Sequence, residues 1–324
     1  MKKIILLSMV LASLALPSSN AAAHGWPNVI ETVALFDPLV LDTPESIVFD
    51  RHGNGYISMA LTGEIRKIAA NGAQSTLARL PIGVPLAPCG AFISVMGGLA
   101  LDDSGQALYV TLNTCEAENR GVWKVGLDGS MRLHSPFPAG ALINGIVLVG
   151  NRLFVADSEL SVIWSVPKNG GAPSVWLNHP LLAADPDVFG PGGNGIQIYG
   201  DDLYVCVSDS LTIVKVPIRP NGRAGNPRVH ADLPYGCDDF AFDLLGNIYA
   251  TTDPSNRLLF VRRDGETEIL FDADDLLDGP TAAAFGRRGL DRFNLYVTNA
   301  AFPFFSVINR PSLMRTPRLI PGLP

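Results

Sequence analysis

The chain has 324 residues, a mass of 34.5 kDa and a formal net charge of −7. Hydrophobic residues make up 47% and charged residues only 17%, and the 32 Gly and 25 Pro suit many short strands joined by tight turns rather than long solvated helices. A net negative charge without a basic stripe provides nothing to neutralise phosphates, which excludes nucleic acid as a partner.

The first segment of the chain is predicted to be a secretory signal peptide. Two lysines precede an apolar run at residues 4–16, and small residues follow up to a cleavage site near Ala23. The run is too short to span a bilayer as a helix. Cleavage would change the net charge from −7 to −9 and deliver residues 24–324 to the periplasm or the medium, with no membrane span in the mature chain.

Four cysteines lie in the mature part, and export to an oxidising compartment favours disulfides. Sequence alone permits three connectivities. Closeness within the repeat described below favours the pairs Cys89–Cys115 and Cys206–Cys237. No C-x-x-C pair is present, which argues against a thiolate metal site.

A unit of about 43 to 52 residues recurs six times in the mature chain, within the range of periods that is typical of propellers. Each unit has an apolar first strand, a second strand of the type L-Y-V, a third strand followed by a tight turn, and an outer strand between units. This spacing predicts an all-β fold, a six-bladed β-propeller of four-stranded antiparallel blades, as one domain over residues 24–324. The predicted first strands are Glu45–Asp50, Gly97–Asp102, Asn144–Val149, Asn194–Tyr199, Asp238–Asp243 and Thr281–Gly286.

Two terminal segments compete to close the ring of blades. Glu31–Phe36 has the character of an outer strand but precedes the first unit, so we expect it to complete the last blade. The C-terminal residues 316–324 compete for the same place, and the sequence leaves the choice open. The third strand of the last unit is predicted around Phe304–Asn309, where the pattern is less regular.

In a propeller, the residues that open the inner strands face the central channel at one end. Four of the six positions carry carboxylate or amide oxygens, and these are Glu45, Asn144, Asn194 and Asp238. Two carboxylates and two amide oxygens around a common axis suit a hard cation such as Ca²⁺ or Mg²⁺, and Mn²⁺ or Zn²⁺ is also compatible. Turn preference alone brings Asn and Asp to strand starts, but four in the same register favour a shared site.

The segment Pro280–Asn299 reads PTAAAFGRRGLDRFNLYVTN and resembles the last-blade motif of the senescence marker protein/gluconolactonase/luciferin-regenerating enzyme family, P-T-x-x-x-F-G followed by L-Y-V-T. That family consists of six-bladed propellers with one metal ion at the channel mouth. The resemblance implies metal ligands at Glu45, at Asn194 and at Asp238, with Asp238 also the general base. It further implies a contact from Asn144 to substrate or to a ligand water.

Two positions depart from the pattern of that family. Its sugar-lactone hydrolases have Arg two residues before the third-blade Asn, where this chain has Leu142. The Gly after the fifth-blade Asp is replaced by Asp239, which adds a carboxylate to the expected substrate-binding region. The apolar Leu142 implies a substrate less polar than an aldonolactone.

The expected function is that of an exported metal-dependent hydrolase of small-molecule lactones or related esters, with one divalent cation and Ca²⁺ favoured. Such a cation polarises a carbonyl and lowers the pKa of bound water. Two alternatives stay open. Pro44-Glu45-Ser46 and Cys89-Gly90 are similar to motifs of strictosidine-synthase-like propellers. A propeller of the N-H-L-repeat type would instead bind a protein or a ligand without catalysis.

Overall fold

The computed structural model of the protein describes residues 29–86, 88–89, 92–185 and 191–323. These residues form strands joined by turns and loops, and they contain no α-helix. None of their helical turns is long and apolar enough to cross a membrane. The predicted signal peptide and its cleavage point lie outside the described residues. The four short 3₁₀ turns are Pro38–Val40, Pro180–Leu182, Ala273–Asp275 and Gly289–Phe293.

Six four-stranded antiparallel sheets form the six blades of a β-propeller, which confirms the predicted fold class. The inner strands of blades one to six are Pro44–Phe49, Val95–Leu101, Ile143–Val149, Gly193–Tyr199, Phe240–Phe242 and Pro280–Phe285. The second strands are Gly55–Met59, Ala107–Asn113, Arg152–Asp157, Asp202–Val207, Ile248–Thr252 and Asn294–Asn299. The third strands are Glu64–Ile68, Gly121–Gly126, Val162–Pro167, Thr212–Pro217, Arg257–Val261 and Ser312–Pro317. The outer strands are Gln74–Arg79, Met131–Pro136, Ser174–Asn178, Arg228–Asp232, Thr267–Phe271 and Glu31–Leu35.

The apolar core lies between neighbouring blades rather than inside any one of them. The second strands are almost wholly buried because a blade covers each of their faces, whereas the outer strands keep exposed positions. Between blades six and one, Phe49 packs on Tyr296 with ring centroids 4.5 Å apart, alongside Ile57 and Leu313. Because this apolar surface is buried between blades, it stabilises the assembled ring and contributes less to the stability of a single isolated sheet.

Hydroxyl hydrogen bonds join every blade to the next around the channel. Each blade donates one such bond, at 2.6 to 2.9 Å, to a carbonyl oxygen at or beside the start of the next inner strand. The ring fixes the backbone that carries the predicted site residues. Its members are Ser58 to Gly97, Thr111 to Asn144, Ser158 to Gly193, Ser208 to Cys237, Thr251 to Thr281 and Thr281 to Pro44.

The last blade is completed by the beginning of the chain. Glu31–Leu35 pairs antiparallel with Ser312–Pro317, so the expectation that the N-terminal segment closes the ring is confirmed. The C-terminal residues 318–323 continue past this strand, and Gly322 bridges to Asp243 of blade five.

The prediction of a third strand around Phe304–Asn309 is wrong. These residues form a loop, because the carboxylate of Asp278 accepts hydrogen bonds from the Ser306 hydroxyl and from the backbone N–H groups of Val307 and Arg310. Those bonds bend the segment out of an extended conformation. The third strand begins only at Ser312.

One of the two predicted disulfides is present, between Cys206 and Cys237, whose Cα atoms are 5.5 Å apart. It ties the second strand of blade four to the residue that precedes Asp238. Cys115 is also disulfide-bonded. The side chain of Cys89 lies outside the described part of the chain, so the pairing Cys89–Cys115 stays a prediction.

Candidate functional site

The inner strands all begin at one end of the propeller, which we call the mouth, and there the strand registers are irregular. In blades one, two, three, four and six the pairing with the second strand shifts at this point. A bulge of this kind turns a side chain out of the regular alternation of the sheet, which is common beside functional sites. The residues at the irregularities are Glu45, Gly97 with Gly98, Asn144 with Gly145, Asn194 with Gly195, and Thr281.

Glycine after Asn194 lets two inner strands approach closely. The N–H of Gly195 donates to the carbonyl of Asp238 at 2.8 Å. A Cβ atom at position 195 would lie 2.6 Å from that carbonyl oxygen and 2.5 Å from Oδ1 of Asp239. Only glycine fits without moving the neighbouring strand, so the Asn-Gly dipeptide brings Asn194 against the acidic residues of blade five.

The Asn194 side chain is held so that its oxygen faces a space without hydrogen-bond donors. Its Nδ2 donates to Oδ1 of Asp238 at 2.7 Å and is 3.1 Å from Oγ of Ser208. The side chain is 4% exposed, and its Oδ1 is buried without a hydrogen-bond partner. A buried amide oxygen left unsatisfied is costly in a folded protein, and a bound cation would remove that cost.

Glu45 presents a second oxygen of the same kind, because its Oε2 is buried without a hydrogen-bond partner. Burial raises the pKa of Glu45 to about 8, and the negative charges of Asp253 and Asp239 add to the increase. The pKa of Asp238 is also raised well above its usual range, first by burial and then by the charges of Glu45, Asp253 and Asp239. The site therefore concentrates negative charge that a cation would neutralise.

Asp239 directly precedes the inner strand Phe240–Phe242 of blade five. Its Oδ1 accepts a bond from the N–H of Phe240 at 2.8 Å and a longer one from Gln197 at 3.4 Å. Burial raises the pKa of Asp239 to about 7, although these two bonds act in the opposite direction. Asp239 and Gln197 are polar members of the lining of a cavity of about 230 Å³ among the inner strands.

Asp253 is a site residue that sequence reasoning missed. It follows the second strand of blade five, and its Oδ1 is buried without a hydrogen-bond partner. Burial and the charge of Asp278 raise its pKa to about 7, and its own charge acts on both Glu45 and Asp238. The inner-strand register does not include it, and an acidic residue at the end of a second strand is too common to mark a site by itself.

Asn144 and Leu142 lie on the same mouth, in blade three. The backbone carbonyl of Asn144 accepts the bond from Thr111, and its Oδ1 lies beside Gly97. Leu142 is partly buried, and its N–H donates to Oδ1 of the fully buried Asp157 at 3.2 Å. The structure thus brings Glu45, Asn194, Asp238 and Asp239 into one electrostatic cluster and places Asn144 and Leu142 on the adjoining rim.

The residues present fit an oxygen-binding cation. At the mouth, unpartnered buried oxygens belong to Glu45, Asn194, Asp253 and Asn299, and no described ion pair involves the carboxylates of Glu45, Asp253, Asp238 or Asp239. Hard oxygen donors of mixed charge are the set that Ca²⁺ prefers. Within the described residues, no three His, Cys, Asp or Glu side chains form a group that could hold a metal ion by themselves.

Comparison with known proteins finds similar structures but no matching family model and no matching curated protein. The fold is similar to that of a luciferin-regenerating enzyme, with a TM-score of 0.67 and 14% identity over 91% of this chain and 97% of that one. A gluconolactonase from Xanthomonas campestris gives a TM-score of 0.64 and 14% identity over 91% and 89% of the two chains. Regucalcin, a calcium-binding protein from Agrobacterium tumefaciens, gives 0.60 and 16% over 87% and 92%. The resemblance predicted from the sequence is confirmed at the level of the fold.

Proposed function

We propose that the protein is an exported metal-dependent hydrolase of lactones or related esters, with its cation at the channel mouth. The observation that carries the proposal is that Glu45 and Asn194 each have a buried side-chain oxygen without a hydrogen-bond partner, beside the Asp238 carboxylate that accepts a bond from Asn194. The shared fold with a gluconolactonase and with a calcium-binding protein supports the reaction class and the choice of Ca²⁺. The disulfide next to the site is compatible with export.

Glu45, Asn194 and Asp238 would hold the cation. The Oδ1 of Asn194 would be available to the cation, while its Nδ2 donates to Asp238 and keeps that carboxylate in place. When bound, a divalent cation supplies polarisation of the scissile carbonyl and a lower pKa for an attacking water.

The other residues of the mouth would act on the substrate and on protons. Asp238 takes the proton from the attacking water as general base, and Asp253, whose charge acts on Asp238, is a further carboxylate to which that proton can pass. Asn144 orients the substrate from blade three. Asp239 borders the channel below, and Leu142 offers an apolar contact, which favours a substrate less polar than a sugar lactone.

The decisive experiment measures metal content and hydrolysis together. We expect purified protein to hold one divalent cation and to hydrolyse a lactone or an aryl ester, with chelation abolishing the activity. Asp238→Asn preserves shape but removes a charge and a base, so it should weaken cation binding and lower the rate by about 10²-fold or more. Asp232→Asn, at an exposed aspartate on an outer strand, is the matched control and should change neither.

Two results would reject the proposal. If Asp238→Asn leaves cation content and hydrolysis as in the wild type, the site is misplaced. If the protein binds a cation but hydrolyses no lactone or ester in a broad screen, the propeller is a binding module or has other chemistry, as in the two alternatives considered from the sequence.

A further inference from the structure

The loop of blade six between Asn299 and Ser312 lies on the same mouth as the candidate site. Asn299 pairs with Pro280, the residue that opens the inner strand of that blade. The loop therefore leaves the sheet at the end of the propeller where Glu45 and Asp238 are found. We call residues 300–311 the aromatic loop.

The aromatic loop exposes several large apolar side chains to solvent. Phe304 is 53% exposed, Phe305 45% and Val307 73%. The ring of Phe304 stacks on Phe302 at 6.0 Å and meets Phe305 edge-on at 5.8 Å, so the rings form one surface. Such a cluster costs free energy in water and is unusual unless something covers it.

A neighbouring connection extends this apolar surface. Leu39 is 90% exposed and Val40 57%, in the 3₁₀ turn that leads from the outer strand of blade six to the inner strand of blade one. The N–H of Phe36, just before that turn, donates to the carbonyl of Pro311 at the end of the aromatic loop. The 3₁₀ turn and the aromatic loop therefore begin and end at backbone positions that lie next to each other, on the same rim.

A buried carboxylate holds the aromatic loop in a single conformation. Asp278 is fully buried, and it accepts bonds from the Ser306 hydroxyl at 2.7 Å and from the N–H groups of Val307 at 2.9 Å and Arg310 at 3.2 Å. Three bonds to one buried anion are a strong restraint. The exposed aromatic rings therefore belong to a loop that is anchored to the buried Asp278.

The base of the aromatic loop lies against the candidate site. The N–H groups of Ala300 and Ala301 donate to the carbonyls of Gly279 and Asp278. Gly279 has φ of +63°, and a Cβ atom there would lie 2.7 Å from Oδ1 of Asp253. Only the absence of a side chain at position 279 allows the loop base to approach that carboxylate.

We propose that the aromatic loop is an apolar wall of the substrate site and binds the alkyl or aryl chain of the lactone or ester. This inference rests on the hydrolase function proposed above and names its substrate class, compounds with a long apolar chain. The polar mouth itself can orient a carbonyl but offers little apolar area. The wall and the partly buried Leu142 supply that area on the same rim, as ligand sites in general combine apolar walls with a few polar groups.

The composition of the aromatic loop argues for this occupant over a lipid surface. Within residues 300–311 only Arg310 is basic. Surfaces that dock on anionic membranes carry clusters of Lys and Arg instead. A neutral alkyl or aryl chain needs no basic residues for its binding.

The test compares γ-butyrolactone, γ-octalactone and γ-dodecalactone as substrates of calcium-loaded protein. The wild-type kcat/KM should rise with chain length, by up to about fourfold for each methylene that the wall covers. The double substitution Phe304→Ser with Phe305→Ser should remove most of this rise and leave γ-butyrolactone unaffected. Phe304→Leu with Phe305→Leu keeps the apolar area and should retain it. Leu290→Ser, at a residue 84% exposed on the opposite face, is the control.

A binding measurement separates failure of the wall from failure of the proposed hydrolysis. The neutral fluorophore N-phenylnaphthylamine should bind wild type and the double Leu variant and lose affinity for the double Ser variant, whether or not any lactone is hydrolysed. The proposal is overturned if the double Ser variant keeps both dye binding and chain-length preference. It is also overturned if that variant keeps the preference and instead loses self-association or binding to lipid vesicles, since a second copy or a membrane is then the occupant.

Discussion

The disulfide between Cys206 and Cys237 should account for a large part of the stability of the fold. It closes a loop with a sequence separation of 31 residues. The chain-entropy relation for cross-links converts a loop of this length into about 3–4 kcal/mol of stabilisation, gained by restricting the unfolded chain. Replacing both cysteines with Ala should lower the free energy of unfolding by that amount.

Urea unfolding followed by tryptophan fluorescence and by circular dichroism measures this loss. The single substitution Cys206→Ala is the control, because it removes the same cross-link but keeps the sulfur atom of Cys237. If single and double variants agree within about 1 kcal/mol, the cross-link and not sulfur packing dominates. A loss below about 1 kcal/mol in the double variant would refute the reasoning, since the unfolded chain would then be compact without the bridge.

The same substitution has a second, smaller consequence at the candidate site. Cys237 precedes Asp238, and its carbonyl accepts the Ser208 hydroxyl at 2.6 Å, a bond that does not depend on the sulfur atom. Asn194 also continues to hold the Asp238 carboxylate. We therefore expect the folded variant to bind Ca²⁺ with a Kd raised by less than about tenfold, the scale of one or two hydrogen bonds.

Two further predictions concern the mouth itself. Gly195→Ala places a Cβ atom 2.6 Å from the backbone carbonyl of Asp238, so thermal unfolding should show a loss of about 1–3 kcal/mol in the free energy of unfolding, together with weaker cation binding. Gly193→Ala is the control and should be tolerated, because its Cβ atom would meet nothing closer than 3.6 Å. Equal effects of the two substitutions would contradict the close-approach argument. The second concerns pH. The pKa values of Glu45 and Asp239, about 8 and about 7, lie above the ordinary values of 4.5 and 3.8, so their contribution to stability is complete below those lower values and is lost as pH rises to 8. Melting temperatures in a chelator should fall over that pH range and recover on adding Ca²⁺, and a fall that calcium leaves unchanged would count against the cation site.

The repeating part of the fold could be predicted from the sequence because each blade has the same pattern of strand motifs. Apolar inner strands and L-Y-V second strands recur at nearly constant spacing, which fixes the blade number and the register of Glu45, Asn194 and Asp238. The last blade is the exception. The run Phe304–Asn309 is apolar enough for a strand. However, Asp278, which bonds to this segment, lies 28 to 32 residues away from its partners, and no local sequence pattern predicts these bonds.

The candidate site was predictable only in so far as it follows the inner-strand register. Asp253 enters it from the end of a second strand, where polar residues are common at turns and carry no specific signal. The ring of hydroxyl hydrogen bonds between blades could not be predicted either, because Ser158 and Ser208 look like ordinary strand-end residues when a single blade is considered. In both cases the information lies in the contact between blades, which a single unit of the repeat does not contain.

Closure of the last blade by the first strand has a consequence for how the chain folds. The side chains of Glu31 and Arg315 meet in that ladder across a sequence separation of 284 residues, whereas blades one to five each pair strands that follow one another closely. Contacts so distant in sequence form late and slowly, because the entropy of closing the loop is lost before any contact compensates it. Until these two strands pair, the complete chain would hold an open arc of blades whose two end faces are apolar and whose edge at Ser312–Pro317 is unpaired. Self-association at that stage competes with ring closure, so the speed at which residues 31–35 find their partner decides the yield of folded protein.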